Sequence, residues 1–249
     1  MSRTTLRIWM AFGAVVLAAA LLGPLFAPHA PNSYTGDSFL GSGSGHIFGT
    51  DSVGRDVLSR VLWGGRSIIA LATAATLGAY VVGGAIGLLA GYRRGILDAG
   101  LMRTMDVLLA FPALLLVLLL AGGIGAGVTT IVIGVAAVNV PGVARIVRAA
   151  TLEVSVRGFV EAAVARGERT PAILRREILP NIAGIVAADG GVRFTSAFLA
   201  VAGLNFIGIG VQPPAADWAT MIAENRNYIS LQPWTVAAPA ICIALFTIT

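Results

Sequence analysis

Few side chains in this sequence are of the types from which catalytic or metal centres are built. It has two histidines, His29 and His46, in one polar segment, and a single cysteine, Cys242, in an apolar run. A lone cysteine excludes both a disulfide framework and a cysteine metal site within one chain. No Gly-x-Ser-x-Gly elbow, His-Glu-x-x-His pair or Walker loop occurs. The glycine–serine run at 41–45 reads as a flexible linker, because no Lys-Ser/Thr follows it to make a phosphate loop. The sequence therefore assigns no catalytic residue, no metal ligands and no cofactor to this chain.

Charge and spacing single out two other places. Residues 161–180, EAAVARGERTPAILRREILP, form the longest strongly charged interval between apolar runs. Glu161, Ala162 and Ala163 predict a short helix with small side chains, and Gly167 permits the turn that ends it. Thr170 and Pro171 suit an N-cap and first turn, and Pro180 marks the passage into the next apolar run. Such a rigid, close-fitting surface could dock another protein; an ordinary solvated loop with basic anchors near lipid headgroups fits the same residues. The second place is Asp189 and Arg193, four apart and so on one helix face inside an apolar run. Each charge within a membrane span costs about 2.5–3.5 kcal/mol on insertion scales, so such groups face a bundle interior or a wet cavity. They read either as a translocation-path site or, preferably, as a self-satisfied structural pair. Asn139 is a weaker candidate of the same kind, with helix-to-helix hydrogen bonding as its expected role.

The elements that must carry these residues follow from composition. The chain of 249 residues is 57% hydrophobic and 12% charged, with mean hydropathy +0.86. About a quarter of the residues of an ordinary soluble domain are charged. Half that, with apolar runs of about 20 residues, specifies an all-α, multi-span membrane protein. Six spans are expected, near residues 8–26, 67–91, 105–121, 128–144, 181–203 and 233–249. The first is long for a signal peptide and reads as an uncleaved anchor. Pro112 should kink the third. Small residues at Gly78, Gly83, Gly84 and Gly87 should allow close helix contact in the second. Between spans one and two, Val57, Leu58, Val61 and Leu62 share a face opposite Arg55, Asp56, Ser59 and Arg60. That pattern fits an amphipathic helix on the membrane surface or a helix packed on the other spans, with Asp56 and Arg60 as an i,i+4 pair. Asp217 could cap a helix bearing Trp218, Met221, Ile222 and Tyr228.

There is no lysine, and a pI near 10.3 comes from 17 arginines. Placing the N-terminus inside puts 12 of the 17 on the cytoplasmic side and leaves Arg55, Arg60, Arg66 and Arg226 outside and Arg193 within a span. The positive-inside rule thus gives cytoplasmic N- and C-termini, puts 161–180 in the cytoplasm and accounts for the basic charge without nucleic acid. The domain expectation is an N-terminal span and outer loop over 1–66, then a core over 67–249 with a cytoplasmic loop at about 145–180. The last span is still apolar at Thr249, so a polar tail is expected beyond it.

Glu161-Ala162-Ala163, Gly167 and Ile178-Leu179-Pro180 resemble the Glu-Ala-Ala loop of binding-protein-dependent ABC importer permeases. Leu25 to Pro28, the run Gly49-Thr50-Asp51 with Gly54-Arg55-Asp56, and Phe206 to Pro214 with Asp217-Trp218 resemble the second, shorter permease of the dipeptide, oligopeptide and nickel branch. The resemblance implies a type I importer permease fold in the bacterial cytoplasmic (inner) membrane. It implies peptide cargo, with nickel or another small solute as the alternative within the family and a non-transporting scaffold outside it. It implies a homologous permease as heterodimer partner, two ATP-binding subunits that hold ATP and Mg, and an extracytoplasmic substrate-binding protein. Glu161 to Gly167 would then be the coupling helix. Glu177 stands where the broader family often has an aliphatic residue.

Overall fold

The computed structural model describes residues 3–43 and 45–248, with side chains from residue 11 onward apart from Phe12. Among them the chain is helical, with two isolated bridges, Tyr34 to Arg55 and Thr50 to Asp56, in place of any strand. The helices are α1 (Arg3–Leu22), α2 (Val57–Arg93), α3 (Gly95–Ala110), α4 (Ala113–Ile124), α5 (Val128–Val154), α6 (Gly158–Ala165), α7 (Thr170–Phe206), α8 (Trp218–Asn225) and α9 (Trp234–Ile248). Three of them, α2, α5 and α7, are long and apolar enough to cross a membrane singly; α3 and α4 together make a fourth such segment, bent by 88°. Shorter apolar helices cover Gly13–Phe26 and Trp234–Ile248.

The bend at α3 and α4 is far sharper than the expected kink. Pro112 has no N–H and disfavours helical backbone at the residue before it. Phe111 is accordingly extended, with φ −82° and ψ 131°. Pro180 behaves differently. It lies inside α7 without ending it, because a π turn at Leu174–Ile178 just before it loosens the hydrogen-bond ladder where its missing N–H would fall. The expected pair of separate helices around Pro180 is thus one helix of 37 residues starting at Thr170. Arg169, not Thr170, is the N-cap.

The backbone divides into two compact units, residues 1–71 with 198–249, and residues 72–197. In the second unit α2 lies directly on α5 through glycines at four-residue spacing. A Cβ at Gly83, Gly87 or Gly91 would fall 2.7, 2.5 or 2.8 Å from the carbonyl oxygens of Val140, Ala144 and Arg148. Only glycine lets the two backbones approach so closely. Gly84, also expected at a helix contact, faces open space. The core of this unit runs along α5 through Val140, Val143, Val147 and Val154, and on into Val160 and Ala163 of α6 and Ile173, Ile178 and Ile182 of α7.

The first unit decides between the two readings of residues 57–62 in favour of a packed helix. Residues 57–62 are the opening turns of α2, and both faces are buried there: Val57 and Val61 on one, Arg60 and Ser59 on the other. The polar face is covered because it finds charged partners from α8, not because it is solvated.

Candidate functional site

Helix covers most of the interval 145–180, since α5 runs on to Val154 and α7 starts at Thr170. Arg145 and Arg148 belong to α5, where they pair with Asp106 at 2.5 Å and with Asp98 through two bonds of 2.5 Å. What remains is α6 and two short joints. Gly167 has φ +76°, the left-handed conformation that costs a residue with a Cβ. Its N–H donates to the Val164 carbonyl at 2.9 Å and the Glu168 N–H to the Ala163 carbonyl at 3.2 Å, the paired bonds of a Schellman C-cap. α6 therefore ends as its sequence predicts.

Its faces divide otherwise than the sequence suggested. Ala163 is fully buried against α7 and joins Val160 in the core, whereas Glu161, Ala162, Val164 and Gly167 are exposed. The small surface available to a partner is thus Glu161 with Ala162, and Ala163 serves to seat α6. Ile178 is fully buried in the same core, while Leu179 and Pro180 are exposed. Arg157 pairs with Glu153 at 2.8 Å and Arg166 with Glu168 at 2.6 Å. Among the described residues no carboxylate pairs with the exposed Arg169, Arg175 and Arg176.

Farther along α7, the Arg193 Nε donates to Asp189 Oδ2 at 2.7 Å. Tyr80 of α2, which the sequence did not suggest, donates its hydroxyl to the same oxygen at 2.5 Å. The Arg193 guanidinium lies over Gly142 of α5, where a Cβ would fall 2.4 Å from Nη1. Glycine there makes room for the charge. Asn139 bonds within its own helix, Nδ2 to the Val135 carbonyl at 2.9 Å, rather than across to another helix.

The segment from Gly49 to Asp56 is folded around its own charges. Asp51 accepts from the backbone N–H of Val53 and Arg55, each at 3.0 Å, and from Arg55 Nε at 2.7 Å. Thr50 bridges the loop, donating to the Asp37 carbonyl at 2.6 Å and accepting from the Leu40 N–H at 2.8 Å. Gly49 and Gly54 have φ +73° and +81°, and a Cβ on either would lie within 2.2 Å of a neighbouring carbonyl. Arg60, the largest fully buried side chain among the described residues, pairs with Glu224 of α8 at 2.9 Å, and Arg55 reaches the same carboxylate at 3.3 Å. The expected Asp56–Arg60 pair does not form. Asp56 instead caps α2, accepting from the Ser59 backbone N–H at 2.8 Å and hydroxyl at 2.6 Å, and contacts His46 Nδ1 at 2.9 Å. Burial opposes its ionisation, but these bonds from Ser59 and His46 prevail and hold its carboxyl below the ordinary value. Glu224 was missed because it lies 164 residues beyond Arg60; an acid on a helix facing a buried arginine leaves no local signal.

α8 is capped as expected. Asp217 Oδ1 accepts from the Ala219 and Thr220 N–H at 3.1 and 3.2 Å. Trp218 is buried, its Nε1 donating to the Val61 carbonyl at 2.7 Å, and its ring fills the space left by Gly64 and Gly65. Burial pushes the Asp217 carboxyl up from its ordinary value, against the cap bonds that lower it.

The chain is similar to known proteins in sequence and in fold. The family model described as "binding-protein-dependent transport system inner membrane component" matches residues 83–249. A dipeptide transport system permease protein of Alkalihalophilus pseudofirmus is 32% identical over 94% of this chain and 78% of its own length. A di/tripeptide transport system permease protein of Pseudomonas aeruginosa is 34% identical, over 94% and 80%. A glutathione transport system permease protein of Pectobacterium atrosepticum is 34% identical, over 94% and 78%. In fold the chain is similar to the inward-facing methionine ABC transporter, with TM-score 0.59 and 16% identity over 76% of this chain and 92% of that one. The fold is thus that of a type I ABC importer permease. With a family match over two thirds of its length and relatives above 30% identity along nearly all of it, this chain belongs to the inner membrane components of binding-protein-dependent transport systems.

Proposed function

We propose that this chain forms half of the translocation path of an ATP-driven peptide importer of the bacterial cytoplasmic membrane. Its relatives' names supply the cargo class, di- and tripeptides or glutathione. In this reading six segments cross the membrane, including Gly13–Phe26 and Trp234–Ile248, and both termini are cytoplasmic, as the arginine distribution favours. A homologous permease completes the path, two ATP-binding subunits supply ATP hydrolysis with Mg, and an outer binding protein delivers cargo.

The observation that carries the reading is the shared core of α6 and α7. Val160 and Ala163 pack with Ile173, Ile178 and Ile182, so a push on the exposed face of α6 is transmitted to a helix of 37 residues. Close-packed interiors move as rigid pieces rather than deforming continuously. ATP closure drawing two such α6 helices together would rock the attached spans. Glu161 and Ala162 form the contact, Gly167 sets its angle, and Ile178, Leu179 and Pro180 join it to the span. Asp189, Arg193 and Tyr80 then lie on the moving helix or beside it as a pre-satisfied polar group, with Asn139 on α5.

The test is uptake in proteoliposomes containing the full importer. ATP-dependent accumulation of a labelled dipeptide, with no accumulation of nickel, is the expected result. Nickel uptake without dipeptide uptake would overturn the cargo, and no ATP-dependent uptake of either would overturn the importer reading.

A further inference from the structure

His29, His46 and Asp56 converge although nothing in their spacing along the chain marks a ligand set. Their donor atoms all lie within 4.8 Å of one another. His46 Nδ1 is 2.9 Å from Asp56 Oδ1, and His29 Nδ1 is 3.9 Å from Asp56 Oδ2. The two imidazole rings are 5.6 Å apart.

Three features separate this cluster from an ordinary polar contact. The nearby guanidinium groups are already taken: Arg55 and Arg60 are held by Asp51 and Glu224, so two imidazoles, not an arginine, face the buried carboxylate of Asp56. His29 Nδ1 is buried and has no hydrogen-bond partner, although the rest of its ring is partly exposed. A buried nitrogen without a partner costs free energy unless something else ligates it. The groups are also braced from behind. Ser59 holds Asp56 Oδ2 through its N–H and hydroxyl and accepts the His29 backbone N–H at 3.1 Å. His46 is fixed by its carbonyl, which accepts from the Gly43 and Gly49 N–H at 3.1 and 3.2 Å. Outer contacts of this kind orient metal ligands.

We infer that His29 Nδ1, His46 Nδ1 and Asp56 Oδ1 bind one divalent transition-metal ion of the zinc type. Two imidazoles and a carboxylate suit such an ion, and bonds of about 2.0–2.2 Å in tetrahedral geometry put donors about 3.3–3.5 Å apart. His46 Nδ1 and Asp56 Oδ1 are inside that spacing, and His29 Nδ1, 3.9 Å from the other carboxylate oxygen in a set spanning up to 4.8 Å, is outside it, so the partly exposed His29 ring must rotate inward to close the set. The three protein ligands leave a fourth position for water. The ion would pin the segment after α1 to the N-terminus of α2. Metal ligation at Nδ1 would replace the His46–Asp56 hydrogen bond, with the proton of the neutral imidazole carried on Nε2.

The test uses the full-length permease in detergent, stripped with chelator and dialysed against zinc chloride, with bound metal quantified. One zinc per chain is expected. Cobalt chloride in its place should give the visible absorption of a low-symmetry, near-tetrahedral site. His29→Ala should lower zinc affinity by at least about tenfold, the loss that even an outer-shell contact produces. Because His29 Nδ1 makes no hydrogen bond, its unfolding midpoint without metal should match the parent. His46→Gln, which can still donate to Asp56, serves as the second variant and should lose zinc likewise. No retained zinc would overturn the inference. So would zinc held equally by both variants, or bound only at millimolar concentrations as an adventitious ion only.

Discussion

At the residue scale, burial turns ordinary charges into structural commitments. Asp217 is the clearest case, because its two roles oppose each other. Its Oδ1 caps α8, which is favourable, while its buried charge is unfavourable and raises its pKa. A group whose folded pKa exceeds its unfolded value binds more protons in the native state, so stability falls as pH rises from about 3.8 through the folded value. Asp217→Asn keeps the acceptor and removes the charge. We expect it to match or exceed the parent in thermal midpoint at neutral pH and to lack that slope, whereas Asp217→Ala should lose about 1 kcal/mol with the cap. Unfolding scans across pH check both. Asp189 poses the complementary question. It is already bonded to Arg193 and Tyr80, and for this partly buried pair inside an apolar span removing one partner should cost more than removing both. Asp189→Leu should therefore destabilise more than Asp189→Leu with Arg193→Leu. A double variant less stable than the single would contradict a self-satisfied pair.

At the element scale, what could be read in the sequence was what neighbours in the chain determine. Gly167 announced the end of α6, and Asp217 the start of α8, because caps and turns are settled within a few residues. The face of α6 was not readable: Ala162 and Ala163 are adjacent and alike, and only the packing of α7 decides which is buried. Pro112 and Pro180 are equally ambiguous alone. One breaks its segment by 88°, the other is absorbed by a π turn. Whether the polar face at the start of α2 was wet or packed stayed open in the sequence, because amphipathic spacing shows that two faces differ without showing that one is wet. For the loop itself, Gly167→Val should cost about 1–2 kcal/mol from its positive φ and disorder the end of α6, lowering dipeptide uptake while membrane insertion persists. Uptake at the parental rate, measured in proteoliposomes, would show that this turn does not set the coupling surface.

At the scale of the whole molecule, composition was enough to specify a helical membrane protein. The number of independent spans was not, since α3 with α4, and the short apolar helices at either end, can be judged only against neighbours. The unit formed by 1–71 with 198–249 was also illegible, because it joins stretches far apart in sequence through Arg60 and Glu224. On the proposed function, the exposed face of α6 is where an ATP-binding subunit docks. Cys242 is the sole cysteine, so a Cys242→Ala, Ala162→Cys variant carries one thiol, placed on that face. Its maleimide labelling should slow by about tenfold or more when the ATP-binding subunits assemble, as burial under a close-packed interface requires. An unchanged labelling rate in the assembled, ATP-hydrolysing complex would contradict it.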